Sequence, residues 1–266
     1  MSAIQATNVQ KHFGDVHVLR GIDFTIPKGQ GTVLLGANGC GKSTLMRCIN
    51  GLTRPDAGAI EVLGTAIQRS DRRNRRLRRQ IGVVFQRFNL VHNLTAFQNV
   101  LFGAAGEYRL GILPTLSPFA SNELRDRAMA CLERVKLADM AHQKAEELSG
   151  GQQQRVAIAR MLLQKPDMVL ADEPIASLDP KAGREVMDLL WEIVDEQQLT
   201  VLCTLHQLDI ATRYADHILG MKAGRIQINA RTSEVDRSAM EALYHGKVRV
   251  DTPVDQHQPN NLAAAA

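Results

Sequence analysis

The run Gly36-Ala37-Asn38-Gly39-Cys40-Gly41-Lys42-Ser43 fits the spacing G-x-x-x-x-G-K-[ST]. It constrains the fold strongly, because it works only where a buried strand feeds a tight loop that opens a helix. The flanks fit that context. Thr32-Val33-Leu34-Leu35 is a short continuous apolar run, as a buried parallel strand requires, and a helix is expected to begin near Gly41. Glycines let backbone N–H groups converge on phosphate oxygens, and the helix N-terminus adds partial positive charge. In such a loop Lys42 neutralises the β- and γ-phosphates, and Ser43 offers a hydroxyl to Mg²⁺.

The rest of the chain reads as an α/β fold. Strands are expected at Ile4–Val9, Leu19–Ile26, Ile60–Leu63 and Ile81–Phe85. Beyond Gln86, to about Gln164, the texture turns to helix and loop. Leu124, Ala128, Cys131, Leu132 and Val135 share one helical face, and Gly103–Pro118 reads as a loop. Alternation then returns with strands Met168–Ala171, Thr200–Thr204, His217–Met221 and Arg225–Asn229. Helices at Pro180–Glu196 and Asp209–Ala215 separate them, the first carrying Trp191 on its apolar face. The expected organisation is one domain over 1–250, a parallel core with a helical subdomain inserted at about 87–164. The tail 251–266, polar and then poly-alanine, is expected to be disordered.

Two further segments carry chemistry. Met168-Val169-Leu170-Ala171-Asp172-Glu173 is an apolar strand ending in two acids, at the strand edge where parallel sheets bind ligands. There Asp172 would hold Mg²⁺ and Glu173 would orient and deprotonate an attacking water. Leu148-Ser149-Gly150-Gly151-Gln152-Gln153-Gln154-Arg155 is a second anion-facing segment. Ser149 caps a helix running to about Leu163, and two glycines expose N–H groups.

With this LSGGQ element intact, the sequence resembles the ATP-binding cassette (ABC) ATPases over roughly residues 3–245. The resemblance implies a P-loop NTPase fold of the ABC type, with an N-terminal antiparallel β part. It also implies ATP and Mg²⁺ as the bound species. Gly36 to Thr44 become nucleotide contacts, Ala37, Asn38, Gly39 and Cys40 among them. Phe13 stands where the family stacks an aromatic on adenine. Gln86, in Val84-Phe85-Gln86, resembles the glutamine that touches Mg²⁺ and water and senses the membrane partner. Asp179, in Ser177-Leu178-Asp179-Pro180, resembles the D-loop acid. His206, in Thr204-Leu205-His206-Gln207, resembles the switch histidine at the γ-phosphate. Ser149, Gly150, Gly151 and Gln152 would reach the nucleotide held by a second subunit, so a homodimer is implied. Other partners implied are integral membrane permease subunits and, indirectly, a periplasmic substrate-binding protein.

Composition narrows the setting. No apolar run approaches the ~18 residues a membrane span needs, and the first residues lack a signal-peptide pattern. That leaves the chain in the cytosol unless a partner holds it at a membrane, and the permease implied by the resemblance would hold it at the cytoplasmic face of the inner membrane. The net charge of +4 has one source, the arginines at 69, 72, 73, 75, 76, 78 and 79. Elsewhere acids and bases nearly balance, so no general field for nucleic acid exists. The cluster reads as a solvated helix face, with lipid headgroups or a partner subunit as the other reading. Cys40, Cys48, Cys131 and Cys203 form no metal spacing and read as reduced thiols. Cys40, inside the loop, also carries the expectation of a thiolate-prone environment. His12, His17, His92 and His142 lack a chemical context and read as surface residues.

The segments Phe88-Asn89-Leu90-Val91 and Ala171–Pro180, with Ile175 after the Glu-Pro pair, are similar to the phosphonate importer branch of the family. That branch implies uptake of phosphonate or a related phosphorus oxyanion. Amino-acid-type importers and lipoprotein or peptide exporters share the same ATPase chemistry and remain the alternative.

Overall fold

A computed structural model describes residues 2–67, 71–108 and 113–244. The tail at 251–266 and Arg69 lie outside the described residues. Two sheets organise the chain. The first is antiparallel, in the order β2-β1-β4-β5, with β1 (Ser2–Phe13), β2 (Val16–Pro27), β4 (Ala57–Val62) and β5 (Thr65–Ala66). The second, in the order β10-β9-β3-β8-β7-β6, contains β3 (Gly31–Leu35), β6 (Ile81–Phe85), β7 (Met168–Asp172), β8 (Thr200–Thr204), β9 (His217–Lys222) and β10 (Arg225–Arg231). The pairs β9–β3, β3–β8, β8–β7 and β7–β6 are parallel, and only β10 runs antiparallel, against β9.

The central strands β3, β7 and β8 are covered on both faces, which is why they read as short, mainly apolar runs. Val33, Leu35, Val169, Ala171, Val201 and Cys203 face one core. The alternate residues Leu34, Met168, Leu170 and Leu202 face another, shared with the antiparallel sheet and with α1 (Lys42–Ile49). The first core also takes in α6 (Pro180–Gln197), which buries Val186, Leu189, Leu190, Trp191, Ile193 and Val194.

Between β6 and β7 the described residues form helices and 3₁₀ turns. The helices are α3 (Ala96–Leu101), α4 (Asn122–Arg134) and α5 (Gly150–Leu163). On α4 and just beyond it, Leu124, Ala128, Leu132 and Val135 are buried as their spacing predicts, and Cys131 is half-buried. Short 3₁₀ turns at Phe102–Gly106, Leu113–Thr115 and Ser117–Phe119 occupy the stretch expected as plain loop. Two short helices follow β8 and β10, α7 (Leu208–Tyr214) and α8 (Arg237–Ala242).

The arginine-rich segment forms α2 (Asp71–Gln80). It buries Asn74 and Leu77 while Arg75, Arg76 and Arg79 are exposed. Arg78 is half-buried and donates to the Gly51 carbonyl at 3.3 Å. Among the described residues, no helix is long and apolar enough to cross a membrane.

The antiparallel sheet is pinned near its β1–β2 tip by Asp56. Its carboxylate accepts from Lys11 Nζ at 2.8 Å and from the His12 backbone N–H at 2.6 Å. The Lys11 bond, with the His12 N–H, holds the Asp56 carboxyl down at about 2 from an ordinary 3.8. A depressed carboxylate stabilises the fold above its unfolded value and loses that contribution as pH falls through the folded value. The Asp56 contribution should therefore be complete above the ordinary 3.8 and vanish on approach to pH 2. Comparing acid-unfolding curves of the wild type and Asp56→Asn should show the variant flatter over that interval.

Candidate functional site

Parallel pairing places Leu34, Thr204, Asp172 and Phe85 in one row across β3, β8, β7 and β6. All four strands leave the sheet at the same edge. The loop after β3, His206 after β8, Glu173 after β7 and Gln86 after β6 therefore emerge side by side, where parallel α/β sheets bind ligands.

The loop requires its glycines. Gly36 has φ 152 and Gly41, at the N-cap of α1, has φ 111. A Cβ on Gly36 would sit 2.3 Å from the Met221 carbonyl oxygen, and one on Gly41 would sit 2.8 Å from Met221 Cε. Lys42 is 5% exposed, and its Nζ donates to the Gly36 carbonyl at 2.8 Å and the Ala37 carbonyl at 3.3 Å. Both acceptors are neutral, so these bonds leave its positive charge uncancelled. The Gly36 N–H points to the Tyr244 hydroxyl at 3.4 Å, a tie from the far end of the described chain.

The acidic side is organised by Thr204. Its hydroxyl donates to Asp172 Oδ1 at 2.7 Å and accepts from the Glu173 N–H at 2.8 Å. Ser43 Oγ lies 3.5 Å from the same Asp172 oxygen. Glu173 has φ 50, in the left-handed region that a side-chain-bearing residue enters only at a cost. His206 Nε2 and Glu173 Oε1 are 2.5 Å apart, with the side chains 30% and 17% exposed. A hydroxyl, one carboxylate and the neighbouring Gln86 are hard oxygen donors. That set fits Mg²⁺, which takes one or two carboxylates together with substrate phosphates.

The other expected residues sit around this cluster. Asp179 caps α6, accepting from the Lys181 and Ala182 N–H groups at 3.0 Å each. Those bonds, Ala182 foremost, hold its carboxyl below the ordinary value. Ser149 caps α5 in a reciprocal box: its Oγ accepts from Gln152 N at 3.3 Å and its N–H donates to Gln152 Oε1 at 2.8 Å. A Cβ on Gly150 would lie 3.1 Å from Leu178, and one on Gly151 3.2 Å from Ala182. The Ser149–Gln152 segment thus abuts the Asp179 loop. Phe13, at the tip of the β1–β2 hairpin, is 52% exposed, with Lys11 Nζ 5.2 Å from its ring centroid. The structure gathers Lys42, Ser43, Asp172, Glu173 and His206, with Gln86 alongside. It does not bring Phe13 or Ser149–Gln152 into that cluster within one chain.

One expectation is corrected. Cys40 is 2% exposed, and burial raises its thiol above the ordinary value despite Lys42, so the loop does not favour a thiolate. His17, expected on the surface, is half-buried. It stacks on His12 with ring centroids 3.9 Å apart, and burial lowers its ordinary value. Thr204 went unnoticed in the sequence, because a threonine closing a β-strand carries no signal of its own.

Known proteins match this geometry. A family model described as "ABC transporter" covers residues 19–176. The chain belongs to the ABC transporter ATP-binding family. Among relatives of this ABC subunit is a protein of Nocardia farcinica named phosphonates import ATP-binding protein PhnC. It is 44% identical over 99% of the chain and 96% of its own length. A protein of Mycolicibacterium smegmatis, named phosphate-import ATP-binding protein PhnC, is 45% identical over 93% of the chain and 94% of its own length. Among solved structures, the dimeric ATP-binding cassette MJ0796 in a post-hydrolysis state with ADP and Pi superposes with a TM-score of 0.75. It is 33% identical and covers 86% of this chain and 98% of its own.

Thr204→Val keeps the side-chain shape and deletes both bonds. A buried hydrogen bond to a charged group contributes about 1.5–3 kcal/mol. Loss of order at Asp172 and Glu173 should lower ATP turnover by about tenfold or more, since ~1.4 kcal/mol in the barrier is tenfold in rate. Steady-state ATPase assays, with a thermal melt as control, measure it.

Proposed function

We infer that this chain is the ATP-hydrolysing subunit of an ABC importer for a phosphorus oxyanion, and that it works as a pair with a second copy. The observation that carries the reading is the single sheet edge where Lys42, Ser43, Asp172, Glu173 and His206 converge.

Phosphoryl transfer needs in-line positioning and charge neutralisation. The Gly36–Thr44 loop offers N–H groups to the phosphates. Lys42 exchanges its two carbonyl partners for charged phosphate oxygens. Bound Mg²⁺, held by Ser43, Asp172 and Gln86, would neutralise phosphate charge. Glu173 orients the attacking water and takes its proton, and His206 moves from Glu173 to the γ-phosphate. Phe13 stacks on the base. Ser149, Gly150, Gly151, Gln152 and Asp179 act across the pair, on the nucleotide held by the other copy. The dimeric relative with its ADP and Pi supports this arrangement. The helical segment 87–164 acts as a lobe that moves with Gln86 when the pair opens and closes.

Permease subunits would meet the chain beside Gln86. A cavity of about 390 Å³ opens there, lined by Met46, Asn50, Leu52, Val83 and Phe85 among others. Leu52 is 58% exposed at it. Docking there would hold the subunit at the cytoplasmic face of the membrane, with a periplasmic binding protein delivering cargo on the far side. The ATPase does not touch that cargo. Its class rests on the relatives' names, which divide between phosphonate and phosphate. Uptake assays in cells lacking the chain, with labelled phosphate and methylphosphonate in parallel, separate the two.

Glu173→Gln should still bind ATP and dimerise, with turnover reduced by about 10²–10⁴, the usual share of a general base. Near-normal phosphate release in that variant would remove Glu173 from the role. Leu52→Glu should leave the ATPase rate of the isolated subunit unchanged and abolish its stimulation by the permease in reconstituted vesicles.

A further inference from the structure

Three consecutive glutamines follow Gly150 and Gly151 at the start of α5, and they do different things. Gln152 completes the cap with Ser149, and Gln153 Nε2 donates to the Leu148 carbonyl at 2.9 Å. Gln154 is fully buried and reaches across to other segments. Its Nε2 donates to the Pro174 carbonyl at 2.6 Å and lies 3.5 Å from the Phe85 carbonyl. Both neighbours are acceptors, so the amide NH₂ group must be the end that faces them.

Those two carbonyls flank the reaction residues. Pro174 follows Glu173, and Phe85 precedes Gln86. Proline has no N–H, so its carbonyl is the only backbone group through which Pro174 can be tied. Glu173 itself holds a left-handed φ of 50, with its N–H secured by Thr204. Its peptide is thus fixed from the sheet on one side and from α5 on the other. Packing alone does not call for a glutamine here. The amide oxygen of Gln154 is buried without a partner among the described residues, a cost that methionine would avoid in the same space.

We propose that Gln154 is a positioning residue, which ties the Ser149 end of α5 to the backbone behind Glu173 and so sets where that carboxylate stands. The inference rests on the assignment of Glu173 as base. It makes the helix that faces the partner's nucleotide and the base that acts on the chain's own nucleotide parts of one hydrogen-bonded unit.

The test uses the full chain, with Gln154→Met and Gln154→Glu beside the wild type and Glu173→Gln. Turnover is measured against ATP concentration and pH, with nucleotide affinity and thermal melting alongside. Gln154→Met should keep KM for ATP within about twofold and melt close to the wild type, while kcat falls about tenfold to a hundredfold, as expected when a reacting group is displaced. In Gln154→Glu, burial favours the protonated carboxyl, which can donate to the Pro174 carbonyl, whereas the ionised form cannot. Its kcat relative to wild type should therefore fall as pH rises, with KM unchanged. Wild-type kcat in both variants would overturn the proposal. So would a loss in Gln154→Met that only follows its folded fraction, joined to a pH-independent ratio in Gln154→Glu. Should Gln154→Met not fold, the pH ratio of Gln154→Glu decides alone. A wild-type chain without ATPase activity, or a Glu173→Gln variant as active as wild type, would instead be a failure of the functional reading itself.

Discussion

The parallel pairing of β3, β8, β7 and β6 is the constraint on which the site depends. These strands are mostly apolar, and alternate residues face two different cores. A one-residue slip of β7 against β8 would send Met168 and Leu170 to the wrong face. It would also separate Asp172 from Thr204, its partner in both register and hydrogen bond. The burial that holds the sheet in register is therefore the same interaction that aligns the acid, the hydroxyl and the loop. Site geometry here follows from core packing.

The charged groups at that edge rest on bonds that an anion can exchange. Lys42 satisfies its ammonium on loop carbonyls, which keep it in place without neutralising it. Glu173 and His206 rest on one another. A triphosphate would bring anionic oxygens to the lysine and add an opposite-charge attraction that neutral carbonyls lack. The behaviour of Cys40 follows from the same arrangement. Burial outweighs the attraction of Lys42, because desolvating a thiolate costs more than this lysine returns.

Much of this was legible in the sequence, and the exceptions have physical reasons. β6 and β8 match their expected limits, Ile81–Phe85 and Thr200–Thr204, because largely buried strands read as short, mainly apolar runs. For β1 the sequence predicts Ile4–Val9, whereas the strand runs from Ser2 to Phe13. Asn8, with φ 45, sits at a register shift between Ala6 and Val9, and the shift breaks the alternation on which the reading relied. The loop, the two acids and the Ser149 cap were legible because each follows from local spacing. Thr204 and Gln154 were not, since each acts by reaching a segment distant in sequence. A threonine in a strand and the third glutamine of a row look alike whether or not they do so. The thiolate expectation for Cys40 failed for a related reason: the sequence places it beside a lysine, but only the fold reveals how little water reaches it.

The chain carries two helix starts suited to phosphate, at Lys42 and at Ser149. Within one chain the second is joined to the Asp179 loop, where Gly150 meets Leu178 and Gly151 meets Ala182. Ser149 and Asp179 thus belong to one continuous surface, and anything that approaches one meets the other. If a second copy supplies the missing half of the Lys42 site, twofold symmetry requires the first copy to supply the same half in return. Two sites then form in a single closure, and neither can be completed alone. A helix held by the Gln154 amide to the Pro174 carbonyl, next to Glu173, would carry the state of one site to the backbone of the other. On that argument the pairing of subunits and the alignment of the base are one event.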